Sequence, residues 1–258
     1  MSRLTHDRYC DEIIARTDAL RATIRGADLG ATVPTCPDWT LRELVLHVGR
    51  AHRWVGEIVR TRATEVVPPE QVPDSAPGSD DPAALDAWLV DGAAGTVEAL
   101  RAAGPELKVW SWGWEGSTGF WARRMVHETI VHHADAALTA STGYEVAPEF
   151  AADTIEEWLE IVAFVRSVGD KRAAGLTGAG RSIHLHATDA PDAEWLIEFG
   201  EDGFAWRRAH EKATVALRGP LTDVMLVFNR RLAPDSDRVE VLGDAELLDF
   251  WLERAVFG

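Results

Sequence analysis

VHETIVHHAD, residues 126–135, places His127, Glu128, His132, His133 and Asp135 within one short stretch. On a helix, residues four apart share a face. Glu128 and His132 then lie on one stripe, with Asp135 a turn further along, while His127 and His133 point elsewhere. A zincin motif needs histidines at i and i+4, and here they stand at i and i+5, so that motif is excluded. The Glu-x-x-His spacing of di-iron bundles is absent as well. What remains is an E-x-x-x-H pair, two ligand types that suit Zn²⁺, Fe²⁺ or Ni²⁺. Alone, such a pair is usually a surface ion pair of about 0.2–0.5 kcal/mol. A metal site needs a third ligand from another helix.

A second helix offers two. VPTCPDWTLRE, residues 33–43, is held extended by Pro34 and Pro37 and ends in Thr40 with Glu43 three residues on. That is a capping box, in which each side chain satisfies a free backbone donor of the first turn. The helix it opens runs to about Arg62 and contains LVLHVGRAHRW, residues 44–54. Its apolar arc includes Leu44, Val48, Ala51, Val55 and Ile58. His52 falls within the arc and His47 at its edge, and periodicity does not choose between them.

Outward from these helices the chain reads as a helical half followed by a mixed half. A first helix spans about 7–26. Residues 63–80, rich in proline, aspartate and serine, form a long loop. A third helix starts at Asp81-Pro82. VWSWGWEGS, residues 109–117, is a loop whose Trp110, Trp112 and Trp114 either pack onto the bundle or wall a pocket mouth. The fourth helix carries the opening motif to about Ala140, and a fifth runs from Pro148 to before Gly169. After Gly175, RSIHLHATD, EWLIEFG, FAWRRA and ATVALRG read as short antiparallel strands. Helices over about 220–231 and 244–256 follow, with the strand RVEVLG between them. The expected architecture is α plus α+β, with domains over 1–170 and 171–258. His184 and His186 share one face of the first of these strands, opposite Ile183 and Leu185, and read as a half-exposed strand.

The bulk properties narrow the function. The 258 residues carry a formal net charge of -16, which repels phosphate backbones and anionic membranes, so neither nucleic acid nor membrane is an expected partner. Cys10 and Cys36 are the only cysteines and form no C-x-x-C pair, which argues against a disulfide framework or zinc knuckle. No signal-peptide core or spanning apolar run is apparent, and a cytoplasmic location is expected. No stripe reads as a coiled coil, so the expectation is a monomer or weak homodimer.

Three segments resemble one family. VPTCPDWTLRELVLHVGRAHRW (33–54) is similar to the segment that opens the second helix in mycothiol-dependent maleylpyruvate isomerases. GFWARRMVHETIVHHADA (119–136) is similar to their fourth helix, and VALRGPLTDVMLVFNRRL with VEVLGDAELLDFWLERA (215–232 and 239–255) to their C-terminal domain. The resemblance implies a DinB-like four-helix bundle holding one divalent metal, usually zinc, followed by a sterol-carrier-like α+β domain. By position the metal ligands would be His47, Glu128 and His132. The C-terminal domain would contribute an arginine, for which Arg230 and Arg231 in FNRRL are the candidates. Mycothiol would be the thiol cosubstrate and a small maleylpyruvate-like electrophile the substrate, giving isomerisation or S-transfer. Asp135 either orients a ligand from behind or faces solvent, and the solvent-facing reading is preferred. The alternatives are a metal hydrolase on the same bundle and a non-catalytic protein that binds an apolar ligand.

Overall fold

The computed structural model describes residues 3–256. It divides the chain into two compact units between Tyr144 and Glu145. Among the described residues the first contains four α-helices: α1 (His6–Ile24), α2 (Leu41–Arg60), α3 (Pro82–Ala103) and α4 (Thr118–Thr139). A short hairpin, β1 (Thr32–Val33) and β2 (Cys36–Thr40), leads directly into α2. The helices assemble as a bundle in which α1 packs on α3 and α4, and α2 on the same two.

Each helix starts where its first turn is satisfied. The capping box at α2 forms as read from the sequence: the Thr40 hydroxyl accepts from the Glu43 N–H, and the Glu43 carboxylate accepts from the Thr40 N–H at 2.7 Å. Asp81 caps α3, with Pro82 in its first turn, and Ser117 caps α4. Along α2 the buried positions Leu41, Leu44, Val45, Val48, His52, Val55 and Ile58 follow a helical period and face the bundle interior. Gly49 lies against the Trp88 ring, where an added Cβ would come within 2.1 Å of the indole. Helix α4 differs from α2 in being buried on nearly all sides, including His127, His133 and Asp135.

The second unit holds α5 (Pro148–Ser167), β3 (Ser182–Ala187), β4 (Glu194–Phe199), β5 (Phe204–Arg208), β6 (Val215–Gly219), α6 (Leu221–Phe228), β7 (Glu240–Gly243) and α7 (Ala245–Arg254). The strands form one sheet in the order β5-β4-β3-β6-β7. Three of its four pairings are antiparallel as expected, but β3 and β6 run parallel. The all-antiparallel expectation is therefore corrected. Residues 209–214, which read as a turn, carry the chain back past β4 so that β6 enters beside β3 in the same direction.

Ile183, Leu185, Trp195, Ile197, Val215 and Leu217 form the buried face of the sheet. Phe228 of α6 stacks on Trp251 of α7 at 5.2 Å. Glu156 of α5 accepts from the indole of Trp195 at 2.8 Å and from the Arg208 guanidinium at 2.7 Å. These bonds join α5 to the sheet and explain why the contacts place it in the second unit, whereas the sequence reading draws the boundary after residue 170. No helix among the described residues is long and apolar enough to cross a membrane.

Candidate metal centre

Two turns beyond its capping box, α2 presents His47 toward α4. The imidazole Nε2 of His47 lies 2.7 Å from Glu128 Oε1, and the Nε2 of His132 lies 3.3 Å from the same oxygen. The three side chains offer ligand atoms within 4.8 Å of one another. The helical spacing of Glu128 and His132 thus puts both on the stripe read from the sequence, and α2 supplies the third member.

His52, the other candidate on α2, is fully buried elsewhere. Its Nε2 meets Thr129 Oγ1 at 2.8 Å. Burial pushes its imidazole down to about 4. His133 bonds Thr23 Oγ1 at 3.0 Å, and burial brings it to about 4 as well. His127 is buried with its ring edge to Tyr9. None of these three joins the cluster.

Asp135 does not face solvent, contrary to the reading preferred from sequence. It is completely buried, and its Oδ2 lies 2.9 Å from His132 Nδ1. Its other oxygen accepts from Thr35 Oγ1 at 2.5 Å. Asp135 is buried because it lies on an enclosed face of α4 and Thr35, in the turn of the β1–β2 hairpin, closes over it. A carboxylate behind Nδ1 fixes the ring tautomer and turns the Nε2 lone pair toward the centre, as in many histidine–metal pairs. Glu128 is braced in a similar way. Arg124, one turn before it, donates to Oε2 at 3.0 Å and leaves Oε1 facing the histidines.

The electrostatics follow from this crowding. Burial opposes ionisation of Glu128, but hydrogen bonds from His132 and His47 and the charge of Arg124 hold it well below the usual carboxylate range. Burial likewise opposes charge on His132. The Asp135 and Glu128 carboxylates outweigh it and lift the imidazole to about 9. A cation is the species such a cluster would accommodate in place of that proton. Two imidazoles and one carboxylate, braced from behind by Asp135 and Arg124, fit a divalent first-row metal.

Trp39 of β2 walls the cluster, its ring centroid 4.8 Å from that of His47 and 6.1 Å from that of His132. Trp110 and Trp112 pack edge-on against Trp54, Phe120 and Trp121, so the tryptophan loop serves to seat itself on the bundle. In the second unit, Arg230 is exposed in the left-handed turn that ends α6, at φ 63. Arg231 donates to the Asn229 carbonyl at 2.8 Å.

Thr35, Trp39 and Arg124 are site neighbours that the residue patterns did not single out. For Arg124 a signal exists in its i, i+4 spacing to Glu128. Thr35 lies far away in sequence and becomes visible only once the hairpin folds over α4.

A family model described as the mycothiol maleylpyruvate isomerase N-terminal domain matches residues 10–137, and the model for the MDMPI C-terminal domain matches residues 149–250. No curated protein sequence matches the chain at a significant level. Among solved structures, one of a mycothiol-dependent maleylpyruvate isomerase superposes with a TM-score of 0.60 at 15% identity, covering 92% of this chain and 93% of that one. A mutant structure of a mycothiol-dependent maleylpyruvate isomerase gives a TM-score of 0.58 at 14% identity, with the same coverage. At that identity the likeness carries the fold alone.

Proposed function

The chain belongs to the mycothiol-dependent maleylpyruvate isomerase family, and from that premise we propose that it is a metal-dependent enzyme using mycothiol on a small cis-enedione such as maleylpyruvate. The observation that carries this reading is the convergence of His47 and His132 on one oxygen of Glu128, with Asp135 behind His132. In the proposed reaction the sulfur bonds to one carbon of the cis double bond while the π electrons move to the adjacent carbonyl. Rotation about the resulting single bond follows. The electrons then return, the C–S bond breaks, and the trans isomer leaves. With an electrophile that does not eliminate, the same addition ends as a thioether.

His47, Glu128 and His132 would hold the metal. A divalent ion with three protein ligands keeps a position open and lowers the pKa of a thiol that reaches it, which is the chemistry it would supply. Asp135 accepts the His132 Nδ1–H and so keeps the Nε2 lone pair directed at the centre. Arg124 neutralises the outer oxygen of Glu128, so the half-buried carboxylate stays ionised without drawing a proton from the thiol. Trp39 covers one side of the cluster and limits water there. Arg230 or Arg231 would bind the substrate carboxylate through a bidentate pair.

The test is product analysis of the zinc-loaded protein given maleylpyruvate with and without mycothiol. The trans isomer should form only with thiol, and His132→Ala should lower the rate by about 100-fold or more. Thiol-independent cleavage of the substrate would instead identify a metal hydrolase. Arg230→Ala and Arg231→Ala, made separately, should divide into one variant with a raised KM and one without.

A further inference from the structure

A second cluster of ligand-type side chains lies on the outer face of the sheet, wholly within the second unit. His184 and His186 project from β3 on the face opposite Ile183 and Leu185. Glu194 stands directly across from His186 in the β3–β4 register. The crossover over residues 209–214 brings His210 against the same face. Three imidazole nitrogens then meet a single oxygen, Glu194 Oε2: His184 Nε2 at 2.8 Å, His186 Nδ1 at 2.9 Å and His210 Nδ1 at 2.6 Å. The three rings form a nearly equilateral triangle, with centroids 5.3 to 5.5 Å apart.

This is a poor arrangement for hydrogen bonding alone. A carboxylate oxygen has two lone pairs, and three donors aimed at one oxygen exceed them. The second oxygen, which could have shared the load, takes none of the three. Pointing three imidazoles at one place also sets like charges close together whenever more than one is protonated. The arrangement is, however, that of a metal site. Three nitrogens and one carboxylate oxygen lie within 4.8 Å of one another, supplied by two adjacent strands and one loop. Four such ligands fit tetrahedral zinc.

We propose that His184, His186, Glu194 and His210 form a second divalent-cation site, a zinc site with four protein ligands, separate from the His47–Glu128–His132 cluster. Four protein ligands complete a tetrahedral sphere and leave no position for substrate, so the role is structural. The ion fastens the 209–214 crossover to β3 and β4. That crossover makes the β3–β6 pairing parallel, and His210 adds a tie to the sheet face beside the Glu211–Arg207 pair and the Thr214–Ser182 hydrogen bonds. Each histidine presents a lone pair to the ion, so binding releases whatever protons those nitrogens carried.

The test uses the full chain with zinc as the only added ligand. In the Glu128→Ala/His132→Ala variant, which removes the bundle cluster, about one zinc per chain should remain after desalting. Zinc should also raise the Tm of that variant by several degrees, since an ion bound only by the folded state stabilises it by mass action. Adding His186→Ala and His210→Ala should abolish both effects. His210 is largely exposed on a loop, so His210→Ala alone serves where the combined variant folds poorly, and it should weaken zinc binding at least tenfold. Cobalt substitution gives an independent readout, a tetrahedral visible spectrum present with the sheet ligands and lost without them. The proposal is overturned if the Glu128→Ala/His132→Ala variant holds no zinc, or if its zinc content and Tm shift are unchanged by His186→Ala/His210→Ala. Failure of the bundle cluster to bind metal would leave these outcomes unaffected, so the two sites are tested independently.

Discussion

His132 has a carboxylate at each ring nitrogen, Glu128 at Nε2 and Asp135 at Nδ1. The first is shared with His47, while the second is fully buried and held by Thr35. This asymmetry assigns them different work: Glu128 faces the centre, and Asp135 orients the ring. Asp135→Asn keeps the size and a polar contact but loses the anion. It should weaken zinc affinity by about 10–100-fold, read by competition with a chromophoric chelator, with the helical circular dichroism retained. Unchanged affinity would show that Asp135 only fills space. The Glu128–His132 pair was legible because helix spacing alone puts four-apart residues together. Asp135 was misread because one stripe says nothing of how completely α4 is enclosed. The choice between His47 and His52 needed more than periodicity: His52 lies within the apolar arc and His47 at its edge, and it is His47 that reaches Glu128.

At the scale of elements, α2 connects folding to the site. Its capping box fixes the first turn, Trp39 immediately precedes that turn, and His47 follows two turns later. Thr40→Ala removes the acceptor for the Glu43 N–H and should cost about 1 kcal/mol of stability in chemical denaturation. Zinc affinity should fall with it, because fraying of the first turn displaces both Trp39 and His47. A stability loss with no change in affinity would separate the cap from the site. Capped helices with clear periodicity were read correctly from sequence. The parallel pairing of β3 and β6 was not, because its cause is a six-residue connection with no marked composition. The start of α5 was marked by Pro148, but its membership of the second unit depends on Glu156 reaching Trp195 and Arg208, contacts that no local pattern encodes.

For the whole molecule, the buried histidines set a dependence on acid. His52 and His133 both sit near 4 when folded, against an ordinary value of 6.5. Between those values the unfolded chain binds protons that the folded chain refuses, so stability is full above about 6.5 and is lost as pH falls toward 4. For His52 alone the loss is on the order of 3 kcal/mol. In metal-free protein His132 acts oppositely: its raised value contributes stability at low pH that is lost as pH rises through about 9. A comparison of variants isolates the first effect. His52→Gln should flatten the fall in Tm between pH 6.5 and 4 relative to wild type, and an unchanged slope would exclude His52 as its source.

The central claim is that His47, Glu128 and His132 hold a metal, and elemental analysis tests it most directly. The measurement is best made in a His186→Ala/His210→Ala background, so that the sheet cluster does not contribute. The parent in that background should carry about one zinc per chain, and the addition of His132→Ala should remove it. A parent without metal after zinc reconstitution, or equal metal content with and without His132, would contradict the claim.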